Sequence, residues 1–204
     1  MDFKQDIRDY INCEIETLKK LDINAINEAL NLLLEAYHNR KWIYIFGNGG
    51  SSSTASHFEN DFNKGVSESL KTKFRFRCLN DNVATLMAIA NDIGFEEVFR
   101  YQLTDRIEPG DLVIAISGSG NSKNVINAVE YAKSCGNKII GITGFDGGKL
   151  KQICDISLHV PVNSMQIAED VHMIFDHLMM SMFYKHLCGK NHLVVEHNGG
   201  LYDE

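Results

Sequence analysis

His57 and Asp61 stand four residues apart, a spacing that puts both on one face of a helix. An imidazole beside a carboxylate can hold a divalent metal or pass a proton, and a purely structural His–Asp hydrogen bond would use the same spacing. A second concentration of such groups, Glu169, His172, Asp176 and His177, lies in one helical stretch near the end of the chain. His172 and Asp176 repeat the four-residue spacing and read as a structural or interfacial pair. Glu169 and His177 lie eight apart, about 12 Å along a helix axis. Both would have to reach inward, or act from different subunits, to meet one ligand. His38, His159, His186, His192 and His197 belong to no motif and read as ordinary core or surface residues.

Two further segments can bind an anion without any Lys or Arg. Gly47-Asn48-Gly49-Gly50-Ser51-Ser52-Ser53 combines a glycine backbone that can approach a ligand closely with hydroxyl donors. The helix that follows would present its positive N-terminal end to the same ligand. Ser117-Gly118-Ser119-Gly120-Asn121-Ser122 repeats the design. Either loop alone could be a plain capped turn, but two of them at one sheet edge argue for a ligand. Neither is followed by the Gly-Lys-Ser/Thr of a nucleotide P-loop. Neither keeps the glycine spacing of a dinucleotide fingerprint, and no acidic residue ends the second strand. Serine hydroxyls and helix ends suit a singly attached phosphate on a small molecule.

The elements that must position these groups follow from periodicity. Phe3, Ile7, Tyr10, Ile11, Ile15 and Leu18, then Ile26, Leu30, Leu33, Leu34 and Tyr37, recur at helical spacing and predict an opening helical hairpin. Short apolar runs at 42–46, 74–79, 112–116, 139–142 and 156–160 predict strands. Helices are expected at about 51–63, at 83–103 with a break near Gly94, at 124–135 and at 165–187. Wholly apolar strands alternating with helices mean a parallel sheet covered on both faces. Ligands of such sheets bind at the carboxyl ends of the strands, where both glycine–serine turns would open. Residues 1–188 form one domain on this reading, and 189–204 a polar tail with an apolar Leu193-Val194-Val195 patch.

A length of 204 residues suits one α/β domain. The net charge of −7, with no run of Lys and Arg, argues against nucleic acid. Five cysteines, an odd number with no CxxC pair, fit reduced thiols in a cytoplasm. The polar start Met1-Asp2-Phe3-Lys4-Gln5-Asp6 is unlike a signal peptide, and no apolar run approaches the ~20 residues of a membrane span.

With these residues in view, FGNGGSSSTASHFENDFNKG (46–65) resembles the first signature of the phosphoheptose isomerases, sugar-isomerase (SIS) proteins. AIANDIGFEEVF (88–99) resembles their central motif. GDLVIAISGSGNSKNVINAVEYAK (110–133) is similar to the SIS phosphate loop, and GITGFDGGKLKQICD (141–155) to the segment after it. The likeness continues through the closing helix and leaves out about the last fifteen residues. It implies a three-layer α/β fold with a flavodoxin-like five-stranded parallel sheet, a homotetramer, and active sites between subunits. It also implies that Ser51, Ser117, Ser119 and Ser122 hold the phosphate and that Asn48 contacts the sugar hydroxyls, with Gly49 also in the substrate site. Asn82 falls where the family often has an acidic residue near the substrate.

The resemblance further implies zinc, or another divalent metal, and proton transfer. The family uses His and Glu at the positions of His57 and Asp61, a glutamine ligand at that of Glu169, and a second catalytic histidine at that of His177. His57, Asp61, Glu169 and His177 are therefore the expected metal ligands, with Asp61 and His177 as acid/base candidates. The sequence departs from the pattern at Asp61 and Glu169, and both changes keep an oxygen donor. The activity implied is aldose–ketose isomerisation of sedoheptulose 7-phosphate or a close variant, in which a base moves a proton between adjacent carbons through an enediol. Two rival readings carry no turnover: a protein-binding SIS tetramer of the DnaA initiator-associating type, and a sugar-phosphate sensor that uses only the two loops.

Overall fold

The structure, a computed structural model, describes residues 1–190. It opens with α1 (Lys4–Leu18) and α2 (Ile23–His38), the latter capped by the Asp22 carboxylate, which accepts from the Asn24 and Ala25 N–H groups. Then follow β1 (Ile43–Gly47), α3 (Gly50–Asn60), β2 (Phe76–Cys78), α4 (Val83–Asp92), α5 (Arg100–Leu103) and β3 (Leu112–Ser117). The chain continues through α6 (Lys123–Ser134), β4 (Lys138–Thr143), α7 (Gly148–Ile153), β5 (Ile156–His159) and the long α8 (Met165–Cys188).

The five strands form one parallel sheet in the order β2-β1-β3-β4-β5. Alternation within each strand divides its side chains between two cores. Ile43, Ile45, Ile114 and Ile116 face one apolar layer with Leu33 of α2, Phe58 of α3 and Phe175 of α8. Tyr44, Phe46, Val113 and Ala115 face the other, with Ile89 of α4, Leu103 of α5, Val125 of α6 and Leu150 of α7. Burial on both faces explains why these strands read as continuous apolar runs. The three-layer α/β architecture with its helical hairpin agrees with the sequence expectation.

Three elements differ from expectation in a way that bears on function. The second strand spans only 76–78, because the Phe74 N–H donates to Ser67 Oγ and not to the sheet. The stretch 83–103 divides into α4, a 3₁₀ turn at Phe95–Glu97 and α5, with Gly94 at φ +145° at the division. The helix expected to run to residue 63 ends its α-helical part at Asn60 and widens into a π turn over Asp61–Gly65. The tail from Gly189 lies mostly outside the described residues, and with it the Leu193–Val195 patch, His192 and His197.

Candidate active site

The order of the strands locates the site. From β1 the chain crosses to β2 on one side, and from β3 it crosses to β4 on the other. The connections leaving β1 and β3 therefore diverge and open a crevice between their carboxyl ends. Gly47 pairs with Ile116, so the two strands finish level and both glycine–serine loops start at the same height.

The first loop is shaped by close approach. A Cβ on Gly47 would stand 2.6 Å from Ser51 Cβ and 2.8 Å from the Ile116 carbonyl oxygen, so only glycine lets the turn fold back against β3. Asn48 and Asn124 exchange reciprocal amide hydrogen bonds at 2.9 Å, tying the loop to the start of α6. Gly49, at φ +55°, precedes α3, and Ser51 is buried in its first turn. In the second loop Ser117 is buried, its hydroxyl 3.3 Å from that of Ser122, and Ser119 is exposed. Gly120 at φ +65° packs so closely that a Cβ would lie 1.9 Å from the Gly147 carbonyl oxygen. The structure thus brings Asn48, Gly49, Ser51, Ser117, Ser119 and Ser122 to the two sides of one crevice. Asn82 is placed otherwise: its side chain caps α4 by accepting from the Thr85 N–H at 3.0 Å.

One turn further along α3 the ionisable groups converge. His57 Nε2 and His177 Nε2 lie 3.2 Å apart. Asp61 Oδ2 is 3.5 Å from the first and 3.9 Å from the second. The π turn starts at Asp61, and Phe62 beside it is wedged among Phe58, Phe74, Phe76 and Phe183. An interrupted helix of this kind often marks a functional position. A tetrahedral cation with bonds of ~2.0–2.1 Å to nitrogen and oxygen would hold its ligand atoms about 3.3–3.4 Å apart. The three observed separations bracket that spacing, so the residues fit a small divalent cation.

A fourth donor joins them that the sequence pattern assigned to another role. Asp176, His57, Asp61 and His177 offer ligand atoms that all lie within 4.8 Å of one another. Asp176 is fully buried, and neither of its carboxylate oxygens makes a hydrogen bond. Burial, reinforced by the Asp61 carboxylate, pushes its acid up to about 8. Glu169, an expected ligand, is outside this group. Its carboxylate lies over the first turn of α3, where a Cβ on Gly50 would meet Oε2 at 2.6 Å. His172 is fully buried, and desolvation, partly opposed by a hydrogen bond to the Thr143 backbone, lowers its pKa to about 4, so it stays neutral.

The cluster opens onto a cleft of about 690 Å³ lined by Ser52, Ser53, Ser56, His57, Asn60, Asn80, Asp81 and Val83. Asp81 is an acidic group the sequence reading passed over in favour of its neighbour Asn82. Asn80 braces the cleft floor, donating to the Gly47 carbonyl at 2.9 Å and accepting from the Gly47 N–H at 3.2 Å. The only available signal was position: these residues directly follow the second strand, at the binding edge of the sheet.

Fold and site together define a parallel α/β domain with two glycine–serine loops and a His–carboxylate cluster at the carboxyl edge of its sheet. Residues 7–144 match the SIS-domain family. The chain is 38% identical over 163 residues to the phosphoheptose isomerase of Aliarcobacter butzleri (strain RM4018), covering 80% of this chain and 84% of that one. It is 37% identical over 167 residues to the phosphoheptose isomerase of Helicobacter pylori (strain ATCC 700392 / 26695), with coverage of 82% and 86%. The solved structure of phosphoheptose isomerase from Neisseria gonorrhoeae superposes at a TM-score of 0.82 with 29% identity, over 89% of this chain and 98% of that one. The chain belongs to the SIS-domain family and, within it, to the phosphoheptose isomerases.

Proposed function

We propose that this protein is an aldose–ketose isomerase that interconverts sedoheptulose 7-phosphate and D-glycero-D-manno-heptose 7-phosphate. One observation carries the reading: a His57–Asp61–His177 cluster with donor separations of 3.2 to 3.9 Å stands beside two serine loops at the switch point of the sheet. The serines of the second loop, with Ser51, hold the phosphate at the helix ends. Asn48 meets the sugar hydroxyls, with Gly49 beside it in the substrate site.

The reaction moves one proton from C1 of the ketose to C2 and one from the C1 hydroxyl to the C2 oxygen, through an enediol, with no net gain or loss of atoms. On this reading His177 and Asp61 carry these protons. His57, Asp61 and His177 would also hold a divalent cation, zinc in the first instance, which when bound polarises the carbonyl and hydroxyl oxygens. A residue coordinated to the cation cannot serve as base at the same moment. The proton-transfer role would therefore fall to whichever of Asp61 and His177 is not holding the cation.

The cleft is open in a single chain, and the apolar stripe of α1 is exposed, which supports a homotetramer with sites closed by a neighbouring copy. Work in the cytoplasm, away from nucleic acid, is supported by five free cysteines, and no helix among the described residues is long and apolar enough to cross a membrane. The net charge of −7 supports the same assignment. A test that separates enzyme from sensor follows ¹³C-labelled sedoheptulose 7-phosphate by NMR beside calorimetric binding of the same compound. Appearance of the aldose phosphate is expected. Saturable binding without product would instead make the protein a sensor.

A further inference from the structure

The proposed proton transfers leave one buried acid on α8 without a task. Asp176 is 0% exposed, and both carboxylate oxygens lack a hydrogen-bond partner. A carboxylate taken out of water needs a counter-charge or donors. No lysine or arginine among the described residues forms an ion pair with it, and the charged group that acts on it, Asp61, is another acid. His172, one turn earlier on the same helix, makes no hydrogen bond to it. Such a group burdens the fold unless something absent from the bare chain compensates it.

The placement says what that is. One Asp176 oxygen lies within 4.8 Å of the donor atoms of His57, Asp61 and His177. The two histidines are about half exposed, with side chains 43% and 56% accessible, whereas Asp176 stands behind them in the core. We infer that Asp176 is the inner ligand of a divalent cation held by His57, Asp61 and His177, taking the role that the family pattern gives to the position of Glu169. This rests on the reading that the cluster binds a cation. Two carboxylates and two neutral imidazoles balance the charge of a dication, and Asp176 has no other partner among the described residues. Glu169, meanwhile, keeps its carboxylate over Gly50 at the start of α3.

Zinc titration calorimetry on full-length metal-stripped wild type, Asp176→Asn, Glu169→Gln and His177→Ala separates the possibilities. Wild type is expected to bind one zinc per chain. Asp176→Asn should bind about 100-fold more weakly or worse, His177→Ala likewise, and Glu169→Gln within a few-fold of wild type. Melting of the zinc-free proteins guards against misfolding: Asp176→Asn and Asp176→Leu should melt at or above wild type, because each removes a buried carboxyl group that nothing in the zinc-free chain compensates. Wild-type zinc affinity in Asp176→Asn, with affinity lost in His177→Ala, would overturn the assignment of Asp176 while leaving the cation site standing. Lower melting of both zinc-free Asp176 variants would also overturn it, since the carboxylate would then serve the fold. Absence of zinc binding by wild type would overturn the cation reading itself.

Discussion

Ser119 and Asp176 show how single side chains in this site trade stability for chemistry. The Ser119 hydroxyl is exposed at the crevice and its oxygen accepts from the Asn121 N–H at 3.2 Å, which leaves its proton free for a phosphate oxygen. Replacing Ser119 with Ala removes one donor to a charged group, worth about 1.5–3 kcal/mol. Phosphosugar affinity should fall roughly tenfold to a hundredfold in calorimetry, and unchanged affinity would remove the second loop from the phosphate site. Asp176 carries a pH signature. Its acid is raised from 3.8 in the ordinary carboxylate to about 8 by burial and then by Asp61. A raised carboxyl contributes stability in full below its unfolded value and loses it as pH climbs through the folded value. The zinc-free protein should therefore lose stability between about pH 4 and pH 8 on account of this group, which faces His57, Asp61 and His177. Thermal melts should show the advantage of Asp176→Asn over wild type widening from pH 5 to pH 8. A constant gap would mean that Asp176 is ionised throughout.

At the scale of elements, the site depends on turns that tolerate almost no change. Gly120 combines a left-handed backbone with a neighbour, the Gly147 carbonyl, where a Cβ would have to be. Gly120→Ala should destabilise the protein by about 2–4 kcal/mol, from the backbone penalty and overpacking together. Denaturant unfolding would check this, with loss of phosphosugar binding beside it. How far such elements were legible in the sequence depended on which physical cause dominated. The strands β1 and β3 were readable because burial on both faces makes them wholly apolar, and the loops after them because glycine and serine have few other reasons to cluster. The π turn at Asp61 was not, since a one-residue widening leaves the spacing of apolar residues nearly intact. Phe74 read as strand because it is buried and aromatic, yet it serves the aromatic cluster around Phe62. Asp176 reads in the sequence as a partner of His172, four residues away on the same helix, while His57 and Asp61 reach it from α3 and the π turn, far away in sequence. Glu169 illustrates the converse, a family position whose carboxylate in this chain overlies Gly50.

On the scale of the whole molecule, the described chain leaves apolar surface exposed. Phe3, Ile7, Tyr10, Ile11 and Ile15 of the α1 stripe are each at least 40% exposed, although the helix is held to α8 through a Tyr10 hydroxyl donating to Asp170. Contiguous apolar surface of this kind marks an interface, and the proposed tetramer supplies it. Ile11→Glu should lower the mass measured by light scattering to that of a smaller assembly and reduce turnover with it, because the open cleft loses its neighbour. Retention of the full assembly would move the interface to another face.

The metal-dependent isomerase assignment stands or falls on the rate at which metal-stripped protein converts sedoheptulose 7-phosphate to the aldose phosphate as zinc is added back, followed by NMR for wild type and His177→Ala. It predicts a rate that is negligible without zinc, rises to saturation near one zinc per chain in wild type, and stays near zero in His177→Ala while that variant still binds the phosphosugar. Equal rates with and without zinc, or near-wild-type turnover in His177→Ala, would contradict the assignment of the cluster to the chemistry.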